Sequence, residues 1–176
     1  MLLREATPAD KVAVLAVHAS AFGQDEESRL VDALLADPTA QPVLSLLAED
    51  RGQVVGHVLF TRVEVVGPES PPAAAILAPL AVIGPAQGAG VGRRLIEEGC
   101  QRLARQGARL VFVLGDPAYY TRHGFAAAAP YGLRAPYEIQ PEEAWMVRAL
   151  SGDAPGNSRG AVRCADALTP EKYWRE

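Results

Sequence analysis

The chain has 176 residues, 49% of them apolar, which is enough for one domain with a real core. A net charge of -4 without any basic run excludes a surface built to neutralise nucleic-acid phosphates, so no nucleic-acid partner is expected. No uninterrupted apolar stretch is long enough to span a membrane and Met1-Leu2-Leu3-Arg4 runs straight into a strand pattern, so a cytoplasmic protein without a membrane partner is expected.

Leu2 to Glu5 reads as a first strand, and Thr7-Pro8 caps a helix with Val12, Leu15, Ala16 and Ala19 on its inward side. The Gly23 region breaks that helix. Asp25-Glu26-Glu27 then places acids in the first turn of a second helix, which runs to about Ala36 with Leu30, Val31 and Leu34 facing inward. Val43 to Glu49 and Val54 to Val66 are β-rich runs joined by Asp50-Arg51-Gly52-Gln53, a hairpin signal that makes them antiparallel neighbours. Gly67 to Pro72 is a surface loop, and Ala74 to Ile83 is the next strand.

A helix follows over Val91 to Gln106, with Val91, Leu95, Ile96, Cys100 and Leu103 on one face and charged residues on the other. Gly107 ends it. Leu110 to Leu114 is a short buried strand, so strand, helix and strand form a βαβ unit with a parallel pair. Trp145 to Leu150 is a last core strand, Ser151 to Gly160 a polar linker, and Ala161 to Leu168 either a short strand or a tail. Cys100 and Cys164 come with no Cys-x-x-Cys pattern or histidine cluster, so both are expected to be reduced and no metal is expected.

The junction before the long helix, Gln87-Gly88-Ala89-Gly90-Val91-Gly92-Arg93, carries the chemistry. Glycines on alternate positions let backbone N–H groups converge, and the unpaired amides of the new helix add positive potential, which makes an anion site. A Walker loop is excluded because the only lysines are Lys11 and Lys172. A dinucleotide fingerprint lacks its third glycine, since Arg93 stands there, although Asp116 at the end of the next strand occupies the place of a ribose-binding acid. A third pattern, Gln/Arg-x-x-Gly-x-Gly, is met by Gln87, Gly90 and Gly92.

This third pattern resembles the acetyl-CoA loop of the GNAT N-acetyltransferases. A second segment, Asp116-Pro117-Ala118-Tyr119-Tyr120-Thr121-Arg122-His123-Gly124-Phe125, is similar to a later motif of that family in which a tyrosine precedes Gly-Phe by four positions. Glu27-x-x-Leu30-Val31, Gly56-His57-Val58-Leu59-Phe60 and Leu114-Gly115-Asp116-Pro117 resemble its bacterial YhbS-like subgroup, and the likeness covers about Leu2 to Leu150. The resemblance implies an α/β fold, a mixed, twisted central sheet flanked by helices, with a splayed or bulged strand before the loop. Residues 1–150 would form the transferase domain, and residues 151–176 a linker and C-terminal segment packed on it.

The implied reaction moves acetyl from acetyl-CoA directly to an amine of a small molecule or peptide, and no metal takes part. Pro79 cannot donate a ladder bond and points to a bulge, or to an ordinary strand distorted by a proline. In the family, the splayed strand lends amides to the pantetheine arm, so the resemblance places that arm along Leu80, Ala81 and Val82, and the phosphates on the loop. Tyr120 would protonate the leaving thiolate, because a phenol keeps its proton at neutral pH. Tyr119 is a packing residue or a cofactor-side contact.

The base is open. Ala74 to Ile83 holds no His, Asp or Glu, leaving His57 and Glu64 on the neighbouring strand, or a water relay. Their odd separation sets His57 and Glu64 on opposite faces of an unbulged strand. Glu26 and Glu27 attract a cationic substrate or only complement the helix dipole. Two further classes stay open: an acyl-CoA sensor without catalysis, and a dinucleotide-binding enzyme. A homodimer is compatible with all of them.

Overall fold

The computed structural model describes residues 1–152 and 155–175. Its frame is a sheet in the order β1 (Leu2–Glu5), β2 (Leu44–Asp50), β3 (Gln53–Val66), β4 (Ala74–Val82), β5 (Leu110–Leu114), β8 (Trp145–Ala149) and β6 (Ala126–Ala127). All neighbours are antiparallel except β4 and β5, whose crossover passes through the long helix α3 (Val91–Arg105). The β2–β3 hairpin turns on Arg51 and Gly52, both at positive φ as a two-residue turn of this hand requires. Two short strands, β7 (Leu133–Arg134) and β9 (Gly160–Arg163), extend the far end of β3, where Glu64–Val66 pairs with β9. The polar linker read over Ser151 to Gly160 includes residues 153–154, which lie outside the described residues.

Helices cover both faces. On one, Val91, Leu95, Ile96, Cys100 and Leu103 of α3 are buried as their 3.6-residue period requires, and Gly99 leaves room for the Phe60 ring to lie against the helix. The other face is covered by α1 (Lys11–Phe22) and α2 (Glu26–Ala36), with Leu30, Val31 and Leu34 inward. The same layer takes in the C-terminal segment. Trp174 is buried there, donates its indole N–H to the Leu168 carbonyl at 2.7 Å and sets its ring against Trp145, which stacks on Phe112 of β5.

The inward face expected for α1 is only partly right: Leu15 packs half-buried against the core, but Ala16 is exposed. Val12 is 82% exposed, and the buried residues are Val14, Val17 and His18. A single 3-10 turn, Pro8–Asp10, also precedes the helix. The sequence Lys-Val-Ala-Val-Leu-Ala-Val-His-Ala-Ser-Ala-Phe is apolar around almost its whole circumference, so periodicity does not select a face. A polar contact selects it instead: His18 turns inward to meet His57 of β3, Nε2 to Nδ1 at 2.8 Å.

Among the described residues, no helix is long and apolar enough to cross a membrane. Among the same residues, no group of three or more His, Cys, Asp or Glu side chains is placed to hold a metal ion.

Candidate active site

The site begins with an opening in the sheet. Parallel pairing of β4 with β5 is confined to Ala74–Ile76 against Leu110–Phe112. Beyond Ile76, among the described residues, β4 pairs only with β3 and β5 only with β8, so the two strands part into a wedge. Ala78 and Pro79 add one residue to β4 between the pairs Phe60↔Leu77 and Val58↔Leu80, the bulge that a proline inside a strand implies. Past it, the edge of Leu80–Val82 that faces the wedge is free to pair with an extended ligand.

On the α3 face the wedge leads into a groove of about 600 Å³. Leu80, Val82, Gln87, Gly88, Gly90 to Arg93 and Tyr119 line it, together with Ala86, Arg122 and His123. Gly88 and Gly90 both sit at φ +80°, a left-handed conformation that turns the loop over the start of α3. The first helical hydrogen bond runs from Arg94 N–H to the Gly90 carbonyl, so the preceding amides of the helix have no partner within it. Arg93 and Arg122 add full positive charges at the same place, and Arg122 also lies over the Tyr119 ring at 5.6 Å. Gln87 donates to the Val82 carbonyl at 3.0 Å and so braces the strand end. This is a cradle for a phosphorylated ligand with an extended tail.

On the opposite face, a cavity of about 480 Å³ opens between β4, β5, the start of α2 and the C-terminal segment. Leu80 lines both spaces, so groove and cavity meet at one side chain. The two tyrosines of α4 (Pro117–Tyr120) divide between them. Tyr119 faces the groove with its hydroxyl against Gly92, where a side chain would collide with it. Tyr120 lines the cavity, with its ring pressed on Gly115 and edge-on to Phe125 at 5.6 Å. Burial pushes the Tyr120 phenol above its ordinary value, so it stays protonated through neutral pH.

The other expected site residues differ in their surroundings. Asp116 is the N-cap of α4, its carboxylate accepting from Ala118 N–H at 2.9 Å. Ala81 is buried opposite His57, and Ala89 sits exposed in the loop outside the groove lining. Glu64 pairs with Arg163 at 2.6 Å, next to β9 and about 20 Å along β3 from Val58, the partner of Leu80. His57 is fully buried between His18 and Ser45, whose Oγ lies 2.7 Å from its Nε2, and it does not line the cavity. Burial, followed by the neighbouring His18, pushes its pKa down to about 3, leaving it a poor acceptor for an amine proton. His123 is a groove residue that sequence reasoning does not single out. It is buried in the groove wall with its ring against Tyr119, inside the Tyr120–Gly124 motif that holds its only sequence signal.

The buried histidines make stability depend on pH. Burial holds His18 at about 4 and His57 at about 3, against 6.5 for either in an unfolded chain. Between those values the unfolded chain binds more protons, so stability is complete above pH 6.5 and is lost as pH falls. Each histidine contributes up to about 1.4 kcal/mol per pH unit. The melting temperature is therefore expected to drop between pH 6.5 and pH 4.5, above the range where ordinary carboxylates titrate. Melting curves at fixed ionic strength check this, and a flat or rising trend refutes neutral burial of the pair.

Comparison with known proteins agrees with this geometry. A family model described as acetyltransferase (GNAT) domain matches residues 3–128. The uncharacterized N-acetyltransferase YjhQ of Escherichia coli K12 is 49% identical over 154 residues, covering 85% of this chain and 84% of that protein. The crystal structure of YhbS from Escherichia coli in complex with CoA superposes with a TM-score of 0.87 at 35% identity, covering 96% of this chain and 92% of that one. A GNAT acetyltransferase from Brucella melitensis in complex with acetyl-CoA gives a TM-score of 0.74 at 32% identity, covering 95% and 97%. With its open wedge, glycine cradle and paired tyrosines in one arrangement, the chain belongs to the GNAT acetyltransferase family.

Proposed function

We propose that the protein transfers acetyl from acetyl-CoA directly to the amine of an acceptor bound in the 480 Å³ cavity. The observation that carries this reading is the meeting of groove and cavity at Leu80, with Tyr119 on the groove side and Tyr120 on the cavity side. The phosphates of the cosubstrate suit the amides of the Gly88–Gly92 loop with Arg93 and Arg122, and its pantetheine arm suits the free edge of Leu80–Val82. The thioester then lies in the wedge. The acceptor ammonium first gives up a proton to solvent water; its freed nitrogen attacks the carbonyl carbon, the carbon–sulfur bond breaks as the Tyr120 hydroxyl donates to the departing sulfur, and the proton then lost by the acylated nitrogen restores Tyr120 through water. Residues 1–150 carry this machinery, and the segment after them closes the cavity through Leu168, Lys172, Tyr173 and Trp174.

Thermal melts with acetyl-CoA, CoA and NAD test the binding half of this reading. Ligand at about 100 times its dissociation constant stabilises the fold by about 2.7 kcal/mol. That shift is expected with CoA and acetyl-CoA and not with NAD. Release of free CoA thiol against a panel of amines tests the other half. A shift with NAD alone overturns the assignment; binding of acetyl-CoA without turnover of any amine makes the protein a sensor.

A further inference from the structure

The charges around the cavity are unevenly matched. Of the acids at the start of α2, Glu26 meets Lys172 at 3.6 Å and Asp25 meets Arg29 at 4.0 Å, and about two turns on, Asp32 meets Lys11 at 2.6 Å. Glu27 lines the cavity and has no cation within 4.0 Å among the described residues; only the neutral amide of Gln24 touches it, at 3.2 and 3.3 Å. The cations of the opposite wall are engaged. Lys172 reaches Glu26 and also lies 5.1 Å from the Tyr173 ring centre, and Arg175 meets Glu171 at 3.4 Å. The cavity therefore presents one uncompensated carboxylate.

The remaining lining is largely aliphatic, with four aromatic rings set into it. Phe22, Tyr120, Tyr173 and Trp174 contribute rings, and Phe22 is 42% exposed at the rim although it is a large apolar side chain. Rings beside an unpaired carboxylate favour a cation on an apolar body, through direct charge pairing and the negative faces of the rings. An acceptor with a carboxylate next to its amine would bring like charge against Glu27.

We propose that the cavity selects a small acceptor whose amine enters as an ammonium ion on an apolar or aromatic body, with Glu27 as its counter-charge and so a specificity-determining residue. This rests on the acetyltransferase reading above.

The test uses the full chain saturated with CoA, titrated with 2-phenylethylamine and separately with 3-phenylpropionate, a carboxylate of similar shape. Saturable binding of the amine at least tenfold tighter than that of the carboxylate is expected. Glu27→Gln should weaken the amine at least tenfold while the melting temperature and the CoA dissociation constant stay as in the wild type. Equal binding of both probes, no saturable binding of the amine, or an unchanged affinity in Glu27→Gln overturns the proposal. The CoA titration separates the two ideas, because failure there removes the acetyltransferase reading, whereas CoA binding with indifference to Glu27 removes only this one.

Discussion

Tyr120→Phe is expected to lower turnover with a saturating amine by about a hundredfold, or roughly 3 kcal/mol, the usual size of a general-acid contribution. The substitution removes one oxygen. The ring that packs on Gly115 and Phe125 remains, and no group among the described residues hydrogen-bonds to the hydroxyl, so the fold loses no partner. Affinity for acetyl-CoA and melting temperature should therefore change little. Burial keeps the phenol protonated, and the negative charge it would meet develops on sulfur only in the transition state, so the defect should fall on kcat more than on KM. Near wild-type turnover would make Tyr120 a packing residue, and a parallel loss of stability would show that the ring and not the hydroxyl had been disturbed.

Gly90→Val should weaken acetyl-CoA on the order of a hundredfold, because a β-branched residue resists the left-handed backbone needed at the mouth of α3. The position has open space around it, with no heavy atom within 4 Å of the point where a β-carbon would stand, so steric crowding of the protein is not the mechanism. The backbone conformation at φ +80° is the mechanism, together with a side chain standing in the groove where the phosphates belong. The ligand-induced melting shift of the wild type should vanish in this variant. An unchanged shift would mean that the phosphates lie elsewhere.

The two motifs are readable in the sequence because each is local. Gln87 to Arg93 lies at one strand–helix junction, and α3 alternates its apolar and charged faces with a clear period, so loop, helix and parallel pair can be read together. The α1 face cannot, since nearly every residue there is apolar and the deciding contact joins His18 to His57 across 39 positions. The same distance problem hides the cavity, which draws Phe22, Glu27, Leu80, Tyr120 and Tyr173 from separate parts of the chain. Asp116 carries two readings for a different reason. Aspartate before proline at a helix start is also a capping signal, and the cap is the role observed here.

The extra residue in β4 also works as a phase shift. Before it, Ala75 and Leu77 face the α3 layer while Ala74 and Ile76 face the other; after it, Leu80 and Val82 face the α3 layer. Even-numbered positions have taken over the side that odd-numbered ones held. Side chains in a strand alternate with a period of two, so deleting one residue from the bulge would leave every motif letter intact yet turn the strand over beneath them. Leu80 and Val82 would swing away from the cradle they now line. For this protein, the count of residues between Ala74 and Gln87 therefore carries as much information as the glycines that follow.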